Sequence, residues 1–513
     1  MTSQQPAAAP DQPQVPSPTA ASTVRPASDV PPAGHVVVVG GGPGGYEAAL
    51  VARRLGARVT VVERSGLGGS AVLTDVVPSK TLIATAEWMT IADRAPELGI
   101  RLDGLAADGA AAAGAPVGSA GATAVLRHRI DLQAVNARVK ALATAQSDDI
   151  RTRLVREGVD IVAGTGRLVD PEHVAVTDAD GREHVLTADV VLVATGATPR
   201  VLPDARPDGE RILTWTQMYN LTELPQRLVV VGSGVTGAEF AGAYTSLGAD
   251  VVLVSSRDRV LPGEDADAAE LIERVFTQRG MTVMSRSRAS AARRTADGVV
   301  VTLEDGRTVE GSHVLFAVGS VPTTRDLGLT EAGVRLTPSG HIEVDKVSRT
   351  NVRGVYAAGD CTGVLPLASV AATQGRIAMS HALGDAVRPL ALRGISANIF
   401  TAPEIATVGL SETRLQAMDA HYRTSMLPLS RNPRAKMLGV RDGFIKIFAH
   451  AGTGTVLGAV VVGPRASESI FPLTLAVTHR LTADEVADAS TVYPSMSGTI
   501  GEVARMLHQR AED

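Results

Sequence analysis

A chain of 513 residues is too long for one ordinary hydrophobic core, so roughly two to four domains are expected. With 44% hydrophobic and 20% charged residues, the composition is that of a globular protein, not a disordered or fibrous one. A net charge of −5 and only 3% aromatic residues supply neither the basic field nor the stacking surface that nucleic acid needs, and argue against that class of partner.

The first segment, Met1 to Pro32, is rich in Pro, Ala, Ser and Gln and lacks the apolar run of a signal peptide. Residues 1–33 therefore read as a disordered leader. No apolar stretch reaches the roughly 18–20 residues of a membrane helix. No integral membrane segment is expected, and a cytoplasmic location follows by default. From His35 to Val39 a continuous apolar run predicts a buried parallel strand. The turn Gly40-Gly41-Gly42-Pro43-Gly44-Gly45 follows, then a helix from Tyr46 to Leu55 and a second strand from Arg58 to Glu63. Asp103 to Ala124, Ala/Gly-rich and aperiodic, reads as a flexible insertion.

The same unit recurs further on. A strand from Arg227 to Val231 leads into Gly232-Ser233-Gly234-Val235-Thr236-Gly237, a helix from Ala238 to Leu247 and a strand from Asp250 to Val254. Two such βαβ units about 190 residues apart predict two nucleotide-binding domains, the second inserted into the first. From about Leu392 the pattern becomes α+β. Strands are expected within Gly443 to Phe448 and Val456 to Val462, and helices within Ser467 to Thr478, Ala483 to Ala489 and Ile500 to His508.

In each GxGxxG turn the first glycine permits the tight bend, the second lets the backbone approach a pyrophosphate, and the third allows close packing. The pyrophosphate lies at a helix N-terminus, where free N–H groups and the dipole favour an anion. Glu63 ends the second strand of the first unit, where a carboxylate can accept hydrogen bonds from a ribose diol. The second unit has Ser255-Ser256-Arg257 there instead. A hydroxyl and a guanidinium suit a 2′-phosphate, which favours NADPH or tolerance of both nicotinamide cofactors. The alternative is that Arg257 is simply a solvated loop residue. Cys361 is the single cysteine. It cannot form an intramolecular disulfide or a multi-cysteine metal site, and no metal is expected.

Both motifs, in this order, resemble the pyridine nucleotide-disulfide oxidoreductase family, which includes lipoamide dehydrogenase and glutathione reductase. The resemblance runs from His35 to about Glu502. It extends to Ala194-Thr195-Gly196, Phe316 to Pro322, Tyr356-Ala357-Ala358-Gly359-Asp360, Leu367-Ala368, Phe400 to Glu404, and Val408-Gly409. It implies an α/β fold: two Rossmann-like FAD- and NAD(P)-binding domains, the second inserted in the first, plus a C-terminal α+β dimerisation domain. The implied boundaries are 34–198 and 320–391 for FAD, 199–319 for NAD(P) and 392–513 for the interface domain of a homodimer. The implied FAD residues are Gly40, Gly42, Pro43, Gly44, Gly45, Glu63, Arg64, Ser70, Lys80, Gly166, Thr195, Gly196, Asp360, Leu367 and Ala368. Those implied for the nicotinamide cofactor are Gly232, Gly234, Val235, Thr236, Gly237, Glu239, Ser255, Arg257 and Gly319.

The departures are as informative. The family's two redox cysteines fall on Ala71 and Val76, just before the retained Pro78-Ser79-Lys80. Its C-terminal His–Glu pair falls on Tyr493 and Gly498. A phenol with an ordinary pKa near 10 is a poor base at neutral pH. The joint loss excludes dithiol–disulfide exchange. The family's ion pair beside the flavin is kept as Lys80 and Glu239. The run from Gly68 to Lys80 and the end Val492-Tyr493-Pro494-Ser495 are similar to a branch of actinobacterial NAD(P)H:quinone oxidoreductases. The expected activity is transfer of electrons from NAD(P)H through FAD to a quinone. The implied catalytic residues are Lys80, Glu239 and Tyr493, the last reaching a quinone oxygen from the partner subunit or else only packing in the interface. The alternatives are a soluble transhydrogenase and a catalytically silent FAD-binding subunit.

Overall fold

The computed structural model describes residues 34–92, 95–99 and 130–508; the expected leader 1–33 and the segment 103–124 lie outside them. A five-stranded parallel sheet anchors the N-terminal half. Its order is Val355–Ala357, Val190–Val193, His35–Val39, Arg58–Glu63, Asp160–Ala163. The central strand is apolar and buried from Val36 to Val39 because both of its faces are covered there. Val36 and Val38 pack with Ala48, Ala49 and Ala52 of the helix Pro43–Arg54. Val37 and Val39 point the other way, into a core with Leu168, Val174 and Val176. These last belong to the three-stranded antiparallel sheet Thr165–Asp170, His173–Thr177, Glu183–Thr187.

The second βαβ unit builds a second five-stranded parallel sheet, ordered Thr282–Met284, Asp250–Val254, Arg227–Val231, His313–Phe316, Ile212–Thr214. The chain enters and leaves this region through the paired antiparallel strands Ala197–Pro199 and Ser320–Pro322. The second unit is thus an insertion in the first. The third region is a five-stranded antiparallel sheet ordered Ser396–Ile399, Glu404–Gly409, Val456–Gly463, Phe444–His450, Tyr422–Pro428. The helices Phe471–His479 and Gly498–Met506 cover it through Leu473, Ala476, Ile500 and Val503. Among the described residues no helix is long and apolar enough to cross a membrane.

Several helix boundaries differ from the sequence expectation, among them that of the helix expected within Ile500 to His508, which runs Gly498–Met506. The helices after the Gly turns start at Pro43 and Val235, inside the motifs, with Gly42 and Gly234 as extended N-caps. Pro43 suits the first helical position because its fixed φ is already helical and its missing N–H would have had no partner there. The expected helix from Ser467 to Thr478 is two helices, Ala466–Ser469 and Phe471–His479. Pro472, at the start of the second, cannot donate back into the first.

The second and third regions are joined at a buried cation. Lys446, on Phe444–His450, is 5% exposed. Its ammonium donates to Asp265 at 3.0 Å, Asp267 at 2.7 Å and Glu412 at 2.6 Å. Burial alone would favour the neutral amine, but these hydrogen bonds outweigh it and hold the Lys446 pKa above its ordinary value.

Candidate active site

The first Gly turn forms one wall of a cavity of about 520 Å³. Gly40 has φ +104°, and a Cβ there would stand 2.4 Å from the Ala194 carbonyl oxygen. At Gly42 a Cβ would meet nothing within 4 Å, because that position opens onto the cavity at the N-terminus of the helix Pro43–Arg54. An anion seated here faces the free N–H groups of the first helical turn. Glu63 shapes the turn from the end of its strand. Its Oε2 accepts from the Gly41 N–H at 2.6 Å, and its Oε1 accepts from the Ser65 and Gly66 N–H groups at 2.6 and 3.2 Å. The carboxylate still lines the cavity.

The structure brings most of the expected first-site residues to this cavity. Gly40, Gly42, Pro43, Gly44, Glu63, Arg64, Ser70, Gly166, Thr195, Gly196, Asp360 and Ala368 all line it. Gly45, Leu367 and Lys80 are not among the lining residues. Leu367 instead caps the helix Ala368–Ala382. The cavity also contains residues the sequence did not single out. Thr323 lines it with a buried hydroxyl that has no hydrogen-bond partner among the described residues, while its carbonyl accepts from Thr195 Oγ1 at 2.6 Å. Asp360 and Asp75 contribute carboxyls that accept no hydrogen bond from the described residues, and burial pushes the Asp360 pKa up. An open glycine at a helix N-terminus, an orphaned hydroxyl and carboxyls awaiting donors fit a dinucleotide with its polyol chain.

Lys80 lies on the helix Val76–Ala92 and donates to Glu239 Oε2 at 2.6 Å. Glu239, 3% exposed, uses Oε1 to accept from the Phe400 N–H at 2.8 Å. Both carboxylate oxygens are therefore occupied, which is what a buried charge requires. One side chain ties the first unit, the second unit and the entry to the third. Lys80 Nζ also sits 5.1 Å from the centre of the Phe400 ring.

Ala71 and Val76 line the same cavity, and Asp75 lies between them. Burial is the main cause that pushes the Asp75 carboxyl up to about 6; Lys80 opposes it, and Glu239 and Asp360 add to it. Cys361 is fully buried. Its Sγ–H points at the Ala358 and Val193 carbonyl oxygens at 3.3 and 3.6 Å, and burial pushes its thiol pKa up to about 11.

The second Gly turn repeats the construction of the first. Gly232 has φ +112°, with the Ala317 carbonyl oxygen 2.2 Å from a hypothetical Cβ, and Gly234 again opens onto free space. Val235 and Thr236 begin the helix and Gly237 is buried behind them. Val235 is 42% exposed. Gly319, φ +92°, accepts from the Arg200 N–H at 2.9 Å. Ser255 requires a correction. It is 0% exposed, its hydroxyl 2.7 Å from that of Ser233 and accepting from the Arg257 N–H at 3.1 Å. It braces the loop and does not face a ligand. Arg257 is exposed, and its carbonyl accepts from the N–H of Arg286, a second exposed cation that no sequence motif singles out. Tyr493 is 83% exposed, beside Val492 at 78%, on the third region.

A family model described as pyridine nucleotide-disulphide oxidoreductase matches residues 34–375, and the dimerisation domain of the same family matches 395–504. The chain belongs to the pyridine nucleotide-disulphide oxidoreductase family. Within it, the chain is 52% identical over 482 residues to a protein of Mycobacterium tuberculosis named NAD(P)H dehydrogenase (quinone), covering 92% of this chain and 94% of that one. It is 31% identical to the dihydrolipoyl dehydrogenase of Zymomonas mobilis, covering 93% and 98%. The crystal structure of LpdA from Mycobacterium tuberculosis aligns with a TM-score of 0.85 at 51% identity, over 93% of this chain and 100% of that one. The flavoprotein disulfide reductase RclA from Escherichia coli aligns with a TM-score of 0.79 at 22% identity, over 92% and 100%, and shares the fold.

Proposed function

We propose that this member of the family is an FAD-dependent NAD(P)H oxidoreductase that reduces quinones without a catalytic disulfide, acting as a homodimer. The observation that carries the reading is the pairing of Ala71 and Val76 on the cavity wall with an intact Lys80–Glu239 bridge of 2.6 Å. The parts for exchange with the nicotinamide are kept, and the thiol parts are replaced by an apolar slot suited to a flat ring. The name of the relative that is 52% identical supports the same acceptor class.

FAD supplies the electron carrier between nicotinamide and acceptor. The chain's own groups do the rest. Gly42 and the N-terminus of Pro43–Arg54 receive the pyrophosphate, and Glu63 and Asp360 accept from hydroxyls of the cofactor. Lys80, held by Glu239, brings a fixed positive charge to the place where negative charge gathers. Gly234 and the N-terminus of Val235–Ser246 receive the nicotinamide cofactor's pyrophosphate, and exposed Arg257 and Arg286 favour NADPH. Tyr493 and Val492, exposed on one chain, lie on the surface through which the partner subunit completes the site.

An anaerobic titration tests this. NADPH and NADH, added in parallel, should bleach the bound flavin without a thiolate charge-transfer band, and NADPH should do so at lower concentration. Menadione should then restore the colour, while lipoamide and oxidised glutathione should not. Turnover of lipoamide would exclude the reading, and reoxidation by an acetylpyridine nucleotide but not by menadione would make the protein a transhydrogenase.

A further inference from the structure

Quinone reduction consumes protons as well as electrons: NAD(P)H, one proton and a quinone give NAD(P)⁺ and a hydroquinone. The proton needs a donor at the acceptor's side of the cavity. The family's histidine position is Tyr493, which is 83% exposed on the single chain and turned to solvent there.

On this reading of the function, we propose that Asp75 is the catalytic acid that donates a proton to the quinone oxygen. Asp75 lines the same cavity as Ala71 and Val76, so a ring held against those two side chains shares the cavity with its carboxyl. It accepts no hydrogen bond from the described residues, and Lys80, the nearest cation, is already committed to Glu239 at 2.6 Å. Charged and titratable groups face Asp75 from four elements. Lys80 lies on the helix Val76–Ala92, Glu239 on Val235–Ser246, Asp360 on the turn after Val355–Ala357, and Tyr219 on Trp215–Asn220. Two of these are carboxylates, which repel a third negative charge and favour the protonated acid that the step requires.

The Asp75 O–H bond breaks and an O–H bond forms on one quinone oxygen, the hydride equivalent given up by NAD(P)H supplies the electron pair and the second hydrogen, and Asp75 is left as carboxylate. A second cavity supplies the replacement proton. It has a volume of about 150 Å³, shares Leu73 and Thr74 with the first, and is lined by Lys140, Thr216, Tyr219 and Asn220. It is polar and roomy enough for water, and the buried Tyr219 hydroxyl has no hydrogen-bond partner among the described residues. Lys140 and Asn220, bonded at 2.9 Å, mark its exposed side.

The test compares wild type, Asp75→Asn and Asp75→Glu as FAD-loaded proteins. Two acceptors are used: menadione, which takes protons, and ferricyanide, which takes single electrons only. In Asp75→Asn the ratio of menadione to ferricyanide turnover should fall by about 100-fold, and Asp75→Glu should restore part of it. For wild type, kcat with menadione should decline as pH rises through about 6. The absorbance of the bound oxidised flavin should shift over the same range, and both transitions should vanish in Asp75→Asn. An unchanged ratio, or the same spectral transition in Asp75→Asn, overturns the proposal and leaves the quinone reading standing. Wild type that bleaches with NADPH but passes nothing to menadione overturns both.

Discussion

Holding Asp75 as a carboxylate is unfavourable in this site, and the cost has a sign that can be measured. Its folded pKa of about 6 lies above the ordinary 3.8, so the folded state binds the proton more tightly than the unfolded chain does. That contribution to stability is fully present below pH 3.8 and is lost as pH rises through about 6. A shift of this size corresponds to about 2–3 kcal/mol. Asp75→Asn should therefore unfold at higher urea than wild type at pH 7, with the gap closing towards pH 4. A gap independent of pH would assign the difference to something other than ionisation.

At the scale of elements, the two Gly turns are near-copies with separable tasks. Gly42→Val should abolish flavin retention, since the side chain would fill the opening at the helix N-terminus. Gly234→Val should leave the protein yellow and raise the KM for NADPH by at least about tenfold, the effect of losing roughly 1.4 kcal/mol of binding. Loss of flavin in both variants would show that the second turn is only a folding element. These turns were legible in the sequence because strand, glycine spacing and helix are all local signals, Glu63 closes the first unit at the expected spacing, and Asp360 was reached through the resemblance of Tyr356–Asp360 to a family motif. Asp75 was not legible: one acid at the start of a helix reads as ordinary first-turn charge, and only the fold sets Glu239 and Asp360 near it. Ser255 was misread because sequence shows a hydroxyl but not the direction it faces. Lys446 was passed over because a lysine in an alternating strand normally points to water. Here that side of the strand faces a neighbouring unit.

Across the whole molecule, two buried ionic junctions hold the second unit in place. Glu239 links it to Lys80 and to Phe400, and Lys446 reaches back to Asp265 and Asp267. The Lys446 junction is the better test because it is remote from the cavity lining. Lys446→Met leaves Asp265, Asp267 and Glu412 to repel one another. Removing one partner of a buried ionic group typically costs about 3–5 kcal/mol. The midpoint of thermal unfolding should fall accordingly, and an unchanged midpoint would mean that solvent reaches the cluster freely. The third region supplies the dimer face implied by its family match. Phe471, Val492 and Tyr493 on this region are 62%, 78% and 83% exposed on one chain.

Cys361 gives this architecture a chemical temperament. Its sulfur is walled in and holds its proton until about pH 11, and the chain has no other cysteine. Alkylating agents and trivalent arsenic act on accessible thiolates, so these thiol reagents should find no target here. Activity should therefore survive treatment with an alkylating agent that inactivates a dithiol reductase.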